Sequence, residues 1–169
     1  MNDQRYASQQ VGFTLIETLV YLALYVIIIG GGLTCVYSLF ESSARNETAA
    51  TLEEEGDYLV GKIDSALSDA TWVIAPSTSG TTLSVSYADA STLHVMKSGT
   101  RIELQRNSGA VSILNNSHVS ITNLTFTHVL PTSDGVNPES VSAIFTLSAT
   151  TSDGHTLSRN FFTLRYLRI

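Results

Sequence analysis

Cysteine is nearly absent. The single thiol, Cys35, lies inside an apolar run, so the sequence beyond it can form no internal disulfide and must be held by packing and hydrogen bonds. Proline is scarce as well: there are three, the first of them Pro76, and nothing before that position forbids a long helix. Basic residues are few, nine against fifteen acidic ones for a net charge of −6, and they are scattered. That balance offers neither the basic footprint of a nucleic-acid binder nor a polybasic patch for anionic lipid. The usual catalytic and ligand-binding motifs are missing too. There is no phosphate-cradling glycine loop, no H-E-x-x-H and no cysteine pair. His94, His118, His128 and His155 stand apart with no metal-ligand spacing, and each reads as a half-exposed strand or turn residue. Asp153 beside His155 reads as turn chemistry, not as a dyad. The expectation is a protein that is not an enzyme and holds no cofactor or metal.

Charge is also missing from one long stretch, and that absence organises the chain. Between Thr18 and Phe40 no side chain is charged. As a helix rising 1.5 Å per residue, the stretch covers about 34 Å, enough for a hydrocarbon core of about 30 Å. It is apolar on every side, which excludes an amphipathic surface helix. Tyr37 stands where an interfacial aromatic is expected. A conventional secretory signal fits poorly: Arg5 is balanced by Asp3, the apolar run is too long, and no small-residue cleavage site follows. A plain membrane anchor leaves Glu17 unexplained, because an acid within a spanning helix costs about 2.5–3.5 kcal/mol at mid-bilayer and calls for a partner.

Before the run come the mostly polar residues MNDQRYASQQVG, and the switch falls at Gly12-Phe13-Thr14-Leu15-Ile16-Glu17. In order and spacing this resembles the class III signal of type IV pilins and type II secretion pseudopilins: a short hydrophilic leader, Gly at the cleavage point, then Phe, with Glu five residues into the mature chain. The resemblance covers about Gly12–Phe40. It implies cleavage between Gly12 and Phe13 by a prepilin peptidase, N-methylation of Phe13, and an assembly role for Glu17 in setting subunit register. It also implies the partners: that peptidase, other pilins or pseudopilins through helix–helix packing, an inner-membrane assembly platform, and membrane lipid before assembly. The implied location is the inner membrane, single-pass with the C-terminal domain exported, and then a pilus or pseudopilus. No direct nucleic-acid contact is expected.

Four segments follow: a leader at 1–12, a hydrophobic helix at 13–40, an amphipathic continuation at 41–75 and a strand-rich domain at 76–169. Within 41–70, Leu52, Leu59, Ile63, Leu67 and Ala70 recur on one helical face. Glu53, Glu54, Glu55 and Asp57 point to different sides and read as a solvated face. Gly56 and Gly61 read as local weak points that could bend the helix. Gly30-Gly31-Gly32, in the apolar half, is either a site of close helix approach or a place where the helix melts on assembly. Many major pilins carry a proline near there, and its lack here argues against a major subunit.

The period changes at Thr71-Trp72-Val73-Ile74, and Pro76–Gly80 closes the helical region. Beyond it the apolar residues alternate: Leu83, Val85 and Tyr87; Leu93 and Val95; Ile102 and Leu104; Val111 and Ile113. With turn residues between them these read as an antiparallel meander. Val119 and Ile121 begin another strand, whose phase slips at Asn123 before Leu124 and Phe126, so a bulge is predicted there. A loop at 131–138 leads to the strand Val141–Ala149. Ser152-Asp153-Gly154 marks a tight turn, and the last run closes a long hairpin. The fold class expected is α+β, a long N-terminal helix packed on an antiparallel sheet, pilin-like and closest in shape to the minor J-type pseudopilins. The function expected is that of a structural minor pilin or pseudopilin subunit. The alternative is a membrane-tethered surface binding module, such as a pilus-tip adhesin or DNA-uptake subunit.

Overall fold

The structure is a computed structural model and describes residues 14–132 and 138–167. One helix, α1, runs from Leu15 to Ser68. Nine strands follow: β1 (Ala70–Ala75), β2 (Ser79–Gly80), β3 (Thr82–Tyr87), β4 (Thr92–Ser98), β5 (Arg101–Arg106), β6 (Val111–Ile113), β7 (Val119–Val129), β8 (Ser140–Thr150) and β9 (Thr156–Tyr166). This is the α+β class expected: a long, partly apolar N-terminal helix, packed on antiparallel sheet in a pilin-like architecture. The chain divides into two compact units, Met1–Ser43 and Ala44–Ile169.

From Leu15 onward the first unit is helical. Its large apolar side chains, from Leu15 to Phe40, are all exposed. The triple glycine does not interrupt α1, and a Cβ added at Gly30, Gly31 or Gly32 would meet nothing within 4 Å. Hydroxyls in this half turn back onto the helix. Thr34 Oγ1 donates to the Gly30 carbonyl at 2.9 Å and Ser38 Oγ to the Cys35 carbonyl at 2.8 Å, so these polar groups are satisfied locally.

The second unit has one core beneath the rest of the helix. Leu52, Leu59, Ile63 and Leu67 are fully buried, the same face that the sequence spacing marks out. They pack on two sheets, one ordered β1-β3-β4-β5-β6 and the other β2-β7-β8-β9. Leu83, Val85, Val95 and Ile102 come from the first sheet, and Leu124, Phe126, Phe145 and Leu147 from the second. Every strand pairing is antiparallel. The bulge predicted at Asn123 is present, as a register shift between Ile121 and Asn123.

Four expectations are corrected. The helical stretch expected over 41–75 stops at Ser68, because residues 70–75 form β1. Thr71, Val73 and Ile74 are β-branched, and the segment pairs with β3, so Ala70 is buried in a strand and not on the helix. Pro76–Gly80, expected to close the helical region, lies beyond β1 instead, and its Ser79–Gly80 pairs with β7 in the second sheet. Val111 and Ile113, expected to face the core, are about half exposed, because β6 is a short edge strand. His128 is buried rather than half-exposed. Of the loop expected at 131–138, residues 133–137 lie outside the described residues.

Candidate functional site

Of the residues singled out by the sequence, Glu17 lies in the first turn of α1. Gly12 and Phe13, the expected cleavage point, lie outside the described residues. Thr14 precedes the first helical residue and acts as its cap. Its carbonyl accepts from the Glu17 N–H at 3.1 Å and the Thr18 N–H at 3.2 Å, and its hydroxyl oxygen is 3.4 Å from the Glu17 N–H. Thr14-Leu15-Ile16-Glu17 is therefore the Ser/Thr-x-x-Glu pattern of a helix start, which satisfies backbone donors that the first turn leaves without intrahelical partners. The Glu17 carboxylate sits in that first turn, at the positive end of the helix dipole. It also accepts a hydrogen bond from the Tyr21 hydroxyl at 3.3 Å, one turn further on. Glu17 thus has a local place in the helix start, and the T-x-x-E spacing is its signal in the sequence.

Around Glu17, Leu15, Ile16, Leu19 and Leu22 are all more than 60 % exposed, so the one acid stands on an apolar, uncovered cylinder. By length and composition α1 is the one helix among the described residues able to cross a membrane. An acid in such a setting has two physical outlets: a helix-starting role at the bilayer edge, or a cation supplied from elsewhere.

Compared with known proteins, the chain matches no protein-family model, no curated protein and no solved structure.

The second unit has clefts but no convergent chemistry among its described residues. A cleft of about 590 Å³ between the helix and the β6–β7 connection is lined by Thr51, Glu54, Glu55, Tyr58, Leu114, Asn115 and Asn116. Glu55 accepts there from the Asn116 N–H at 3.2 Å, while Glu53, Glu54 and Asp57 are exposed, as a solvated face requires. Asn115 is buried and bonds the Ile102 N–H and the Val119 carbonyl, joining the two sheets. Its polar atoms are spent on structure.

The most buried titratable pair was not anticipated. His128 and Glu139 face one another, with Nε2 to Oε1 at 2.8 Å. His128 Nδ1 lies 3.1 Å from the Pro76 carbonyl, which can only accept, so Nδ1 is the donor there. Nε2 and the carboxylate share the second bond. The pair ties β7 and the start of β8 to the β1–β2 connection. The signal was present in the sequence: once the bulge shifts the phase, His128 falls on the same inward face as Leu124 and Phe126. At the β8–β9 turn, Asp153 accepts from the Thr151 hydroxyl, which holds its carboxyl below the usual carboxylate range. His155 lies 3.9 Å from it and Arg45 3.8 Å. Both contacts accompany a turn, in keeping with the turn reading of this segment.

Proposed function

We propose that this chain is a structural, non-catalytic subunit of a type IV pilus or type II secretion pseudopilus, anchored by α1 in the inner membrane and then assembled through it. The observation that carries the reading is the apolar first part of α1, where Glu17 in the first turn is the one acid before Glu41, joined to an α+β domain. In this reading a prepilin peptidase cuts between Gly12 and Phe13, and Phe13 is N-methylated. The new α-amine has a reference pKa of about 7.7–8.0, so much of it is cationic near neutral pH. It pairs with Glu17 of a neighbouring subunit. A charge among packed apolar helices is costly unless paired, so the pair favours one axial register over all others. Its partners are then the peptidase, the assembly platform and other pilin-like subunits.

Helix starting and subunit pairing make different demands on Glu17, and Glu17→Gln separates them. Glutamine keeps the helix-start pattern and loses the negative charge. Pairing predicts that the variant inserts and is cleaved but does not co-purify with its partner subunits. Co-purification at wild-type yield would refute pairing and leave Glu17 with its helix-start role alone.

A further inference from the structure

The four edges of the two sheets are not equally protected. β1 has six residues with two register shifts and runs straight into Pro76, β6 has three residues and β2 has two. Short, bulged or proline-ended edges are how proteins discourage strand pairing. β9 is different: eleven residues, continuous register and neither bulge nor proline.

Its open side can be read from the hydrogen-bond pattern. Leu167 N–H donates to the Glu139 carbonyl, and Thr151 N–H donates to the His155 carbonyl. In the β8–β9 register these are directly opposed positions, so odd-numbered β9 residues bond β8. Ser158, Asn160, Phe162, Leu164 and Tyr166 therefore turn their N–H and C=O groups to the free edge. Among the described residues nothing pairs with those groups. The same even-numbered residues carry their side chains away from the helix. Phe162, Leu164 and Tyr166 are 60 %, 43 % and 58 % exposed, beside Ile144 and Val129 at 46 % and 48 %. The helix occupies the opposite face, through Phe161 and the Asp64–Thr163 bond. A cleft of about 410 Å³ opens next to the edge, lined by Ser68, Leu164, Arg165 and Tyr166.

We infer that β9 is a docking edge for an extended segment of a different polypeptide, which adds as a further strand to the β2-β7-β8-β9 sheet. Its apolar side chains, at every second position, lie beside Phe162, Leu164 and Tyr166 and extend the apolar face that Ile144 begins. Open backbone groups and exposed apolar side chains fall on the same residues, so one strand satisfies both at once. A second copy fits badly. Only an antiparallel register centred on Phe162 uses all five open residues, and it sets Arg159 opposite the copy's Arg165 twice. Like charges directly opposed across strands destabilise the pair. This inference does not depend on the filament reading.

Residue-resolved amide exchange on the full chain in detergent micelles tests it, with a soluble peptide of alternating valine and threonine, flanked by lysines, as the probe. Without peptide, the amides of residues 160, 162 and 164 exchange fast while those of 161 and 163 are protected. With peptide, the even-numbered amides slow by about tenfold or more. Leu164→Pro removes one outward N–H without touching a β8 bond and blocks that protection, with retained protection at 161 and 163 reporting that the sheet is intact. Phe162→Lys, which charges the apolar face, weakens it independently. Even-numbered amides that are slow without peptide, that ignore it, or that gain protection as the chain's own concentration rises overturn the inference; the last outcome would assign the edge to a second copy.

Discussion

Tyr87 stitches the end of the helix to the first sheet. Its hydroxyl donates to the Ala66 carbonyl at 2.9 Å, one of the last-turn carbonyls that the helix itself cannot satisfy. The Arg106 guanidinium lies over its ring, 5.5 Å from the centroid. Burial pushes the Tyr87 hydroxyl above its ordinary 10.0, with the nearby Arg106 charge partly opposing the rise. A group whose neutral form the fold favours adds stability that is fully present below the unfolded value. That stability is lost as pH rises through the raised one. Tyr87→Phe should cost about 1 kcal/mol near neutral pH through the lost bond. It should also flatten part of the stability loss above pH 10.0. Denaturant unfolding followed by near-ultraviolet circular dichroism at several pH values checks both. Equal stability of variant and parent at neutral pH would mean the bond is not formed. Tyr87 was legible in the sequence only as a core-facing alternating residue. Its hydroxyl's partner is 21 positions away, and no local pattern encodes such a pairing. For His128 the alternation after the bulge encodes the burial, but not its pairing with Glu139, 11 positions away.

Among the elements, α1 carries two glycines in its amphipathic half that look alike in sequence and differ in space. A Cβ on Gly56 would fall 2.0 Å from the Phe161 ring, which is itself stacked on Phe145 at 5.3 Å and cannot move aside freely. Gly61 has nothing within 4 Å. Alanine at Gly61 should therefore stabilise by about 0.5–1 kcal/mol, the ordinary helix gain. Alanine at Gly56 should destabilise, because overpacking costs of about 1–3 kcal/mol outweigh that gain. Denaturation midpoints for the two variants check this, and a Gly56→Ala protein as stable as the parent would show that Phe161 is misplaced. In sequence both glycines read as possible bends, since their difference depends on which strand lies above. Strand positions were legible where alternation was clean, as in Val141–Ala149, and so was the bulge at Asn123, because a phase slip is a local signal. The end of α1 was not. Helix and strand both suit the apolar residues around Ala70, and pairing with β3 decides between them.

For the whole molecule, the division into an exposed apolar helix and a disulfide-free domain with one core was readable from charge, cysteine and periodicity. Those properties bear on burial directly, without any knowledge of pairing. The split of the strands into two sheets was not readable, because alternation shows which residues share a face and not which strands pair: β1 and β3 pair with each other while β2, between them in sequence, pairs with β7. Processing at Gly12–Phe13 is the claim on which the rest of the functional account depends. Without cleavage there is no Phe13 amine for Glu17 to meet and no released helix to assemble. The intact mass of the chain isolated from its natural host tests it most directly. The expected protein begins at Phe13 and carries one additional methyl group. The mass of the whole chain, or of a chain beginning beyond residue 30, would contradict it.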